Sequence, residues 1–322
     1  MPSQSISLAE KIGTALTVWI KGRFAPHGVK PDDFAVTLHL HEGEEGPVKD
    51  SFAYRGDAPF YPCSVIKMFY MVALQQAYED GRLAETPELA RALHDMIKWS
   101  SNMATNYIID HLSGTTGDTE LSGEEMERWI AARENVNRYF RSFALPELAR
   151  INVSQKLMDD ERYGREKVYV QHGGNNHNRL TSNAAALILA KIMSGEMISG
   201  HRSKIMRDTL HRPNTKEFRD TPHAQLLGFL GEGMPDGAKI WAKAGWTGWT
   251  GDSHASYRRH DALHAALPTG EVFTLVVFAQ GKWPSDSVTM LPEIGAEAVR
   301  LIREFPLPRR GEGQGSIRWQ SS

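Results

Sequence analysis

A serine and a lysine three residues apart, Ser64 and Lys67, have the clearest capacity for chemistry in this sequence. They stand at the head of an apolar run, residues 68–74, that predicts a buried helix. Residues three apart share a helix face, so we expect the Lys67 amine beside the Ser64 hydroxyl. Burial favours the neutral amine, which is a general base next to a nucleophile. The four-residue pattern is common by chance, so its meaning depends on the rest of the chain.

Two later segments, Ser100-Ser101-Asn102 and Lys243-Ala244-Gly245, also carry residues that could act on a bound molecule. Taken alone, the first is typical of a helix N-cap and the second of the end of a strand. With Ser64 and Lys67 they give the order S-x-x-K, S-x-N and K-[TSA]-G. In this order the sequence resembles the penicillin-recognising serine hydrolases, namely class A β-lactamases and D-alanyl-D-alanine peptidases. The resemblance extends from about residue 34 to residue 302.

The resemblance implies a catalytic role for four side chains. Ser64 would attack a carbonyl carbon and form an acyl-enzyme, and Lys67 would accept the hydroxyl proton. Ser100 would relay a proton toward the leaving nitrogen. Lys243 would supply a positive potential that favours a substrate carboxylate and the neutral form of Lys67.

The resemblance also implies a substrate site around the second and third motifs. Asn102 would hydrogen-bond a substrate amide and help to hold Lys67. The backbone N–H groups of Ser64 and Trp246 would form an oxyanion hole, where one donor contributes roughly 3 kcal/mol of transition-state stabilisation. The other predicted substrate-binding residues are Gly245 and Trp249.

Two positions depart from the family pattern. Ser101 stands where aspartate is usual in class A enzymes, at a mainly structural position. Ala244 stands where a threonine or serine normally helps to bind a substrate carboxylate, so carboxylate recognition is expected to differ here. Trp246 and Trp249 add apolar surface beside this altered motif. We therefore hypothesise a substrate other than a standard penicillin.

The base for deacylation is a third departure, because no E-x-x-x-N loop with the family spacing follows the second motif. We favour the acids of the polar segment before residue 181 as alternatives without choosing among them, although each taken alone is more often a solvated surface charge. They are Asp159, Asp160, Glu161 and Glu166. The missing glutamate also leaves open a protein that is acylated but does not turn over.

Other reactive side chains have ordinary explanations. Cys63 could be a nucleophile with a histidine partner, although a buried structural thiol is the better interpretation. His39 and His41 alternate along a predicted strand and could bind a metal, but two ligands are a weak signal and solvent-facing histidines are expected. The loop 172–177 is a turn that could border the cleft. No metal or cofactor is predicted, since no phosphate-binding, dinucleotide or calcium motif is present.

Composition bounds the class of protein. The 322 residues are 41% hydrophobic and 24% charged, with a net charge of -2, which is typical of a soluble globular chain. This balance favours neither nucleic acid nor an anionic membrane as partner, and no run of about 18 apolar residues predicts a transmembrane helix. The single cysteine and the absence of a leader pattern predict a cytoplasmic location.

Strand patterns near both ends of the chain enclose a helical middle. Alternation at 34–40 and a segment at 51–54 predict strands, as do 240–243 and 272–278. We therefore predict an α/β (α+β) fold of the β-lactamase type, with an antiparallel sheet of N- and C-terminal strands flanked by helices. Residues 1–62 and 200–305 would form the sheet lobe, 63–199 an inserted helical lobe, and 306–322 a disordered tail.

The sequence thus predicts a serine hydrolase that cleaves a lactam or related amide through Ser64. A peptidase or esterase with the same residues is the first alternative, because fold does not determine substrate. A covalent binding or sensor protein is the second. The sequence does not determine the natural substrate or the oligomeric state.

Overall fold

One antiparallel sheet organises the molecule. The computed structural model describes residues 6–157, 162–219, 221 and 224–305. Within these residues the sheet has six strands in the order β2-β1-β6-β5-β4-β3. The strands are β1 (Phe34–His41), β2 (Val48–Tyr54), β3 (His211–Arg212), β4 (Lys239–Thr247), β5 (Arg258–Ala266) and β6 (Val272–Gln280). N-terminal and C-terminal strands therefore form a single sheet, as the sequence predicts.

Helices cover both faces of this sheet. The helices of the N-terminal half are α1 (Leu8–Phe24), α2 (Lys67–Glu79), α3 (Pro87–Lys98), α4 (Asn102–Ser113), α5 (Gly123–Arg133) and α6 (Asn135–Arg141). Those that follow are α7 (Gly164–Gln171), α8 (Ser182–Met193), α9 (Gly200–Leu210), α10 (Lys216–Arg219), α11 (Lys282–Asp286) and α12 (Met290–Glu304). The α/β fold predicted from the sequence is the one observed.

The side chains of the central strands alternate between two apolar clusters. Ala262 and Val276 pack into the cluster formed with α2, α3 and α8. Leu263 and Leu275 pack into the cluster formed with α1 and α12. A sheet buried on both faces explains why β6 reads as a continuous apolar run rather than an alternating one. The division into a sheet lobe and a helical lobe stays a prediction. The C-terminal segment 306–322, predicted to be disordered, lies outside the described residues.

Strand β5 is the main element that the sequence did not predict. It contains Arg259, His260, Asp261 and His264, and all four side chains are buried. Charged and imidazole side chains are rarely buried unless tertiary partners satisfy them. Its pairing with β4 and β6 over its whole length supplies the backbone partners. A propensity pattern cannot reveal such a strand, because its stability comes from its neighbours.

Two local breaks position the predicted motifs. A 3₁₀ turn, Cys63–Ile66, precedes α2, so the α-helix begins at Lys67 rather than at Ser64. The second break lies between α3 and α4, where Ser100 has a φ of +55°. Both breaks involve a non-glycine residue in the left-handed region, a conformation that costs about 1–3 kcal/mol and is concentrated at functional sites.

No helix within the described residues has the length and apolar character needed to cross a membrane.

Candidate active site

Ser64 lies in the 3₁₀ turn immediately before α2 and is half-buried. The backbone N–H of Lys67 donates to the carbonyl of Ser64, so the two residues are one turn apart. Cys63, which precedes the serine, has a φ of +48°. Its left-handed backbone prevents the α-helix from starting earlier, so the predicted nucleophile lies in the turn before the helix rather than in the helix itself.

Strand β4 passes this turn at very close range. A Cβ atom added to Gly245 would lie 2.7 Å from the backbone nitrogen of Ser64 and 2.8 Å from the Cβ of Cys63. Only glycine leaves room for such an approach of two backbones. The third motif therefore lies directly against the first, although about 180 residues separate them in the chain.

Ser100 joins the two lysines. The Nζ of Lys67 donates to the Ser100 hydroxyl at 3.2 Å, and the Nζ of Lys243 donates to the same oxygen at 3.0 Å. Lys67 also donates to the backbone carbonyl of Ser100. Both lysine side chains are buried. With both lysine donors on its oxygen, the hydroxyl proton of Ser100 is left to donate elsewhere, which suits a proton relay.

The second motif has two roles at once. The Oγ of Ser101 accepts from the backbone N–H of Ala104 at 3.1 Å, which is an N-cap of α4. The Oδ1 of Asn102 accepts from the Nζ of Lys67 at 2.7 Å. The middle residue thus starts the helix, while Ser100 and Asn102 on either side of it hold the lysine.

Lys243 lies among buried charges. Burial, followed by the charges of Lys67 and Arg212, holds the pKa of Lys243 well below its usual value. Asp261 lies nearby, but burial raises the pKa of its carboxyl group to about 7. The Oε1 of Gln225 accepts from Lys243 at 2.6 Å without adding a charge. The buried cations are thus incompletely compensated, which favours an anionic group in the adjoining cleft.

His260 ties the nucleophile turn to the sheet. The backbone N–H of Ala279 donates to its Nδ1 at 3.0 Å. Its Nε2–H therefore donates to the carbonyl of Tyr61, three residues before Ser64, at 2.9 Å. Burial lowers the pKa of His260 to about 3, so the ring stays neutral. Neither sequence motif nor composition signals this residue, whose role arises from the pairing of β5 with β6.

A cleft of about 670 Å³ adjoins these residues. Residues from each motif region border it, namely Tyr61 before the nucleophile, Asn102, and Trp246 after Gly245. Trp246 and Trp249 line it with side chains that are 51% and 63% exposed, respectively. The prediction placed both tryptophans at a substrate site, and their exposed rings offer apolar surface for stacking.

The carboxylate of Glu166 is paired with a buried arginine, unlike a carboxylate that is available to act as a base. Its carboxylate accepts two hydrogen bonds from Arg133, at 2.8 Å and 3.1 Å, and both side chains are buried. Such a bidentate pair satisfies the charge of the buried guanidinium. The other candidates for the deacylation base, Asp159, Asp160 and Glu161, lie outside the described residues.

The alternative reactive groups find structural partners. Burial raises the pKa of the Cys63 thiol to about 12, so the thiolate needed for nucleophilic attack is disfavoured. The expectation that His39 and His41 face solvent is wrong. His41 is 2% exposed, and its Nε2 lies 2.9 Å from the Thr274 hydroxyl on β6. His39 is half-buried, and burial lowers its pKa to about 4.

The sequence of this chain matches a known family over most of its length. The model of the Beta-lactamase enzyme family matches residues 84–302. This range includes Ser100, Asn102 and Lys243 and begins after Lys67. A comparison with curated protein sequences found no match.

Several solved structures share the fold. The structure of PBP-A has 17% identity and a TM-score of 0.59, covering 90% of this chain and 97% of that one. A β-lactamase from Sphaerobacter thermophilus DSM 20745 has 17% identity and a TM-score of 0.60, with coverage of 91% and 97%. The class A β-lactamase of the last common ancestor of Gram-negative bacteria has 17% identity and a TM-score of 0.57, with coverage of 89% and 98%.

Proposed function

This chain belongs to the β-lactamase enzyme family and is a serine hydrolase of that type, and we propose that Ser64 forms an acyl-enzyme with a lactam or related amide. One observation carries the proposal. The hydroxyl of Ser100 accepts hydrogen bonds from both Lys67 and Lys243, while Gly245 lies against the Ser64 turn. Three distant segments thus meet where a nucleophile, a base and a proton relay are required.

The reaction follows from these contacts. The Oγ of Ser64 attacks the carbonyl carbon, and its proton passes to the neutral form of Lys67, in which the amine donates only two of its three hydrogen bonds to Ser100 and Asn102. The C–N bond then breaks, and Ser100 gives its proton to the leaving nitrogen. Ser100 regains a proton from Lys67 through their 3.2 Å hydrogen bond. Water later attacks the ester carbon, the bond from that carbon to the Ser64 oxygen breaks, and one proton of the water returns to Ser64 as the acid leaves.

The substrate class follows from the cleft. The buried cations around Lys243 favour an anionic group on the substrate, and the exposed rings of Trp246 and Trp249 favour an aromatic or apolar one. Ala244 supplies no hydroxyl for a carboxylate. We therefore propose an anionic lactam or amide with a bulky apolar substituent, in preference to a standard penicillin. A linear peptide or an ester is the alternative for the same residues.

A covalent binder without efficient turnover is the second candidate. The ion pair of Glu166 with Arg133 favours it, because this carboxylate is occupied. Kinetics separate the two functions. A burst followed by steady product release indicates hydrolysis, whereas a stable adduct indicates a binder.

Intact-mass analysis after reaction with a β-lactam or a fluorophosphonate tests the acyl-enzyme. We expect one adduct per chain, which Ser64→Ala abolishes. Lys67→Ala should slow its formation by about 10²–10⁴-fold, the usual contribution of a general base. Cys63→Ala, one residue away, is the matched control and should retain the adduct. An adduct that persists in Ser64→Ala but disappears in Cys63→Ala would refute the assignment of the nucleophile.

A further inference from the structure

We propose that His177, Asp252 and His254 bind a Zn²⁺ ion at the rim of the cleft. One donor atom from each residue lies within 4.8 Å of the other two. The residues belong to two loops, one between α7 and α8 and one between β4 and β5. Two imidazoles and one carboxylate suit Zn²⁺ in sites that have three protein ligands and one open position. The ion would join the two loops.

The distance between His254 and Asp252 suits a shared ion better than a hydrogen bond. The Nδ1 of His254 lies 3.5 Å from the Oδ1 of Asp252, which is long for a hydrogen bond. Bonds of about 2.0–2.1 Å from Zn²⁺ at a tetrahedral angle place two ligand atoms about 3.4 Å apart. One ion can therefore bridge these two atoms, while His177 must move away from its 2.6 Å contact with Asp252 to admit the ion.

His177 faces oxygen atoms with both ring nitrogens. Its Nε2 lies 2.6 Å from the Oδ2 of Asp252, and its Nδ1 lies 2.5 Å from the Oδ1 of Asn175. The backbone N–H of His177 also donates to this Asn175 atom, which identifies it as the amide oxygen. Both ring contacts are hydrogen bonds only in the imidazolium form, because a neutral imidazole has one N–H. An ion on Nε2 lets the neutral ring satisfy both contacts, because Nδ1–H then donates to Asn175, as metal-bound histidines commonly do.

Arg162 is the competing cation for Asp252. Its Nη1 lies 3.3 Å from Oδ2, whereas His254 faces Oδ1. With the ion on Oδ1, His177 exchanges its contact with Oδ2 for the ion, and Oδ2 keeps the guanidinium. Removing the guanidinium charge should tighten ion binding. Asp252 and Trp249 both line the cleft and belong to the same loop. The ion would therefore restrain one wall of the substrate site.

Metal titration of the full chain tests the site. The chelator-treated protein is titrated with Co²⁺, followed by the visible absorption of four-coordinate Co²⁺, and the ion is then displaced with Zn²⁺. We expect one site per chain that Mg²⁺ does not fill, since Mg²⁺ prefers oxygen ligands. His177→Ala and His254→Ala should abolish the spectrum. Asn175→Ala should weaken affinity about 10–100-fold, as for other partners of a ligand.

Two further variants complete the test. Arg162→Gln should bind more tightly than the unsubstituted protein. His172→Ala replaces an exposed histidine of the same loop and should bind as the unsubstituted protein does. Absence of a Co²⁺ spectrum in the unsubstituted protein would overturn the proposal, as would spectra of His177→Ala and His254→Ala equal to that of the unsubstituted protein. His254 is exposed, and circular dichroism of its variant checks folding. The titration needs no reaction at Ser64, so its failure is distinguishable from failure of the hydrolase proposal.

Discussion

Replacement of Gly245 by alanine tests how the nucleophile is positioned. The new Cβ would lie 2.7 Å from the Ser64 nitrogen, whereas ordinary contacts begin at 3.4 Å, so the strand and the turn must separate by about 0.7 Å. The neighbouring atoms are backbone and Cβ atoms, which cannot rotate away. The sequence predicts that the Ser64 N–H is an oxyanion donor, and such donors act at about 2.7–3.1 Å. On that prediction, this shift removes the N–H from its working range and should slow acylation about 10²–10³-fold.

The assay is the rate of acylation by a β-lactam or a fluorophosphonate, with urea unfolding measured in parallel. We expect Gly245→Ala to lose about 1–3 kcal/mol of stability from overpacking and still fold. Gly248→Ala is the matched control, because its Cβ would lie 3.6 Å from the Trp246 ring, an ordinary contact. This control should acylate at the original rate. A folded Gly245→Ala protein that acylates equally fast would refute the reasoning.

Three further predictions concern buried polar groups. Arg133→Met leaves the Glu166 carboxylate buried without its partner and should lower the free energy of unfolding by about 3–5 kcal/mol, measured with urea. Burial raises the pKa of Asp261 from 3.8 to about 7, so the folded protein keeps a proton that the unfolded chain releases. Stability should therefore fall as pH rises from about 4 to 7, and urea titrations of Asp261→Asn should show a shallower fall. His260→Leu leaves the Tyr61 carbonyl and the Ala279 N–H without their hydrogen-bond partner. The free energy of unfolding should fall by at least about 2 kcal/mol, and acylation should slow. Unchanged acylation in this variant would show that His260 does not position the turn.

Some of the site could be predicted because chemistry depends on residue type. The spacing of Ser64 and Lys67 and the family resemblance of the later motifs predict Ser100 and Lys243 at the same site, and the structure places Ser100 between the two lysines. Asn102 was predicted to hold Lys67, and its Oδ1 accepts from that amine. Short motifs can be recognised in a sequence because each depends only on a local turn or on one helix face.

Other features could not be predicted because they depend on distant partners. His260 and Asp261 belong to β5, whose polar sequence is stable as a buried strand only between β4 and β6. The solvent-facing assignment of His41 failed for the same reason, since Thr274 on β6 contacts it. Glu166 was one of four equivalent acids until the fold paired it with Arg133.

The sequence by itself determined the kinds of side chain available, the alternation of β1 and the amphipathic helices. These follow from periodicity, which each segment carries within a few residues. Only the tertiary structure decided which charges are buried together, how closely β4 approaches Ser64, and that His177 meets Asp252. Burial and long-range pairing set the dielectric surroundings and the distances, and neither is encoded in any single segment.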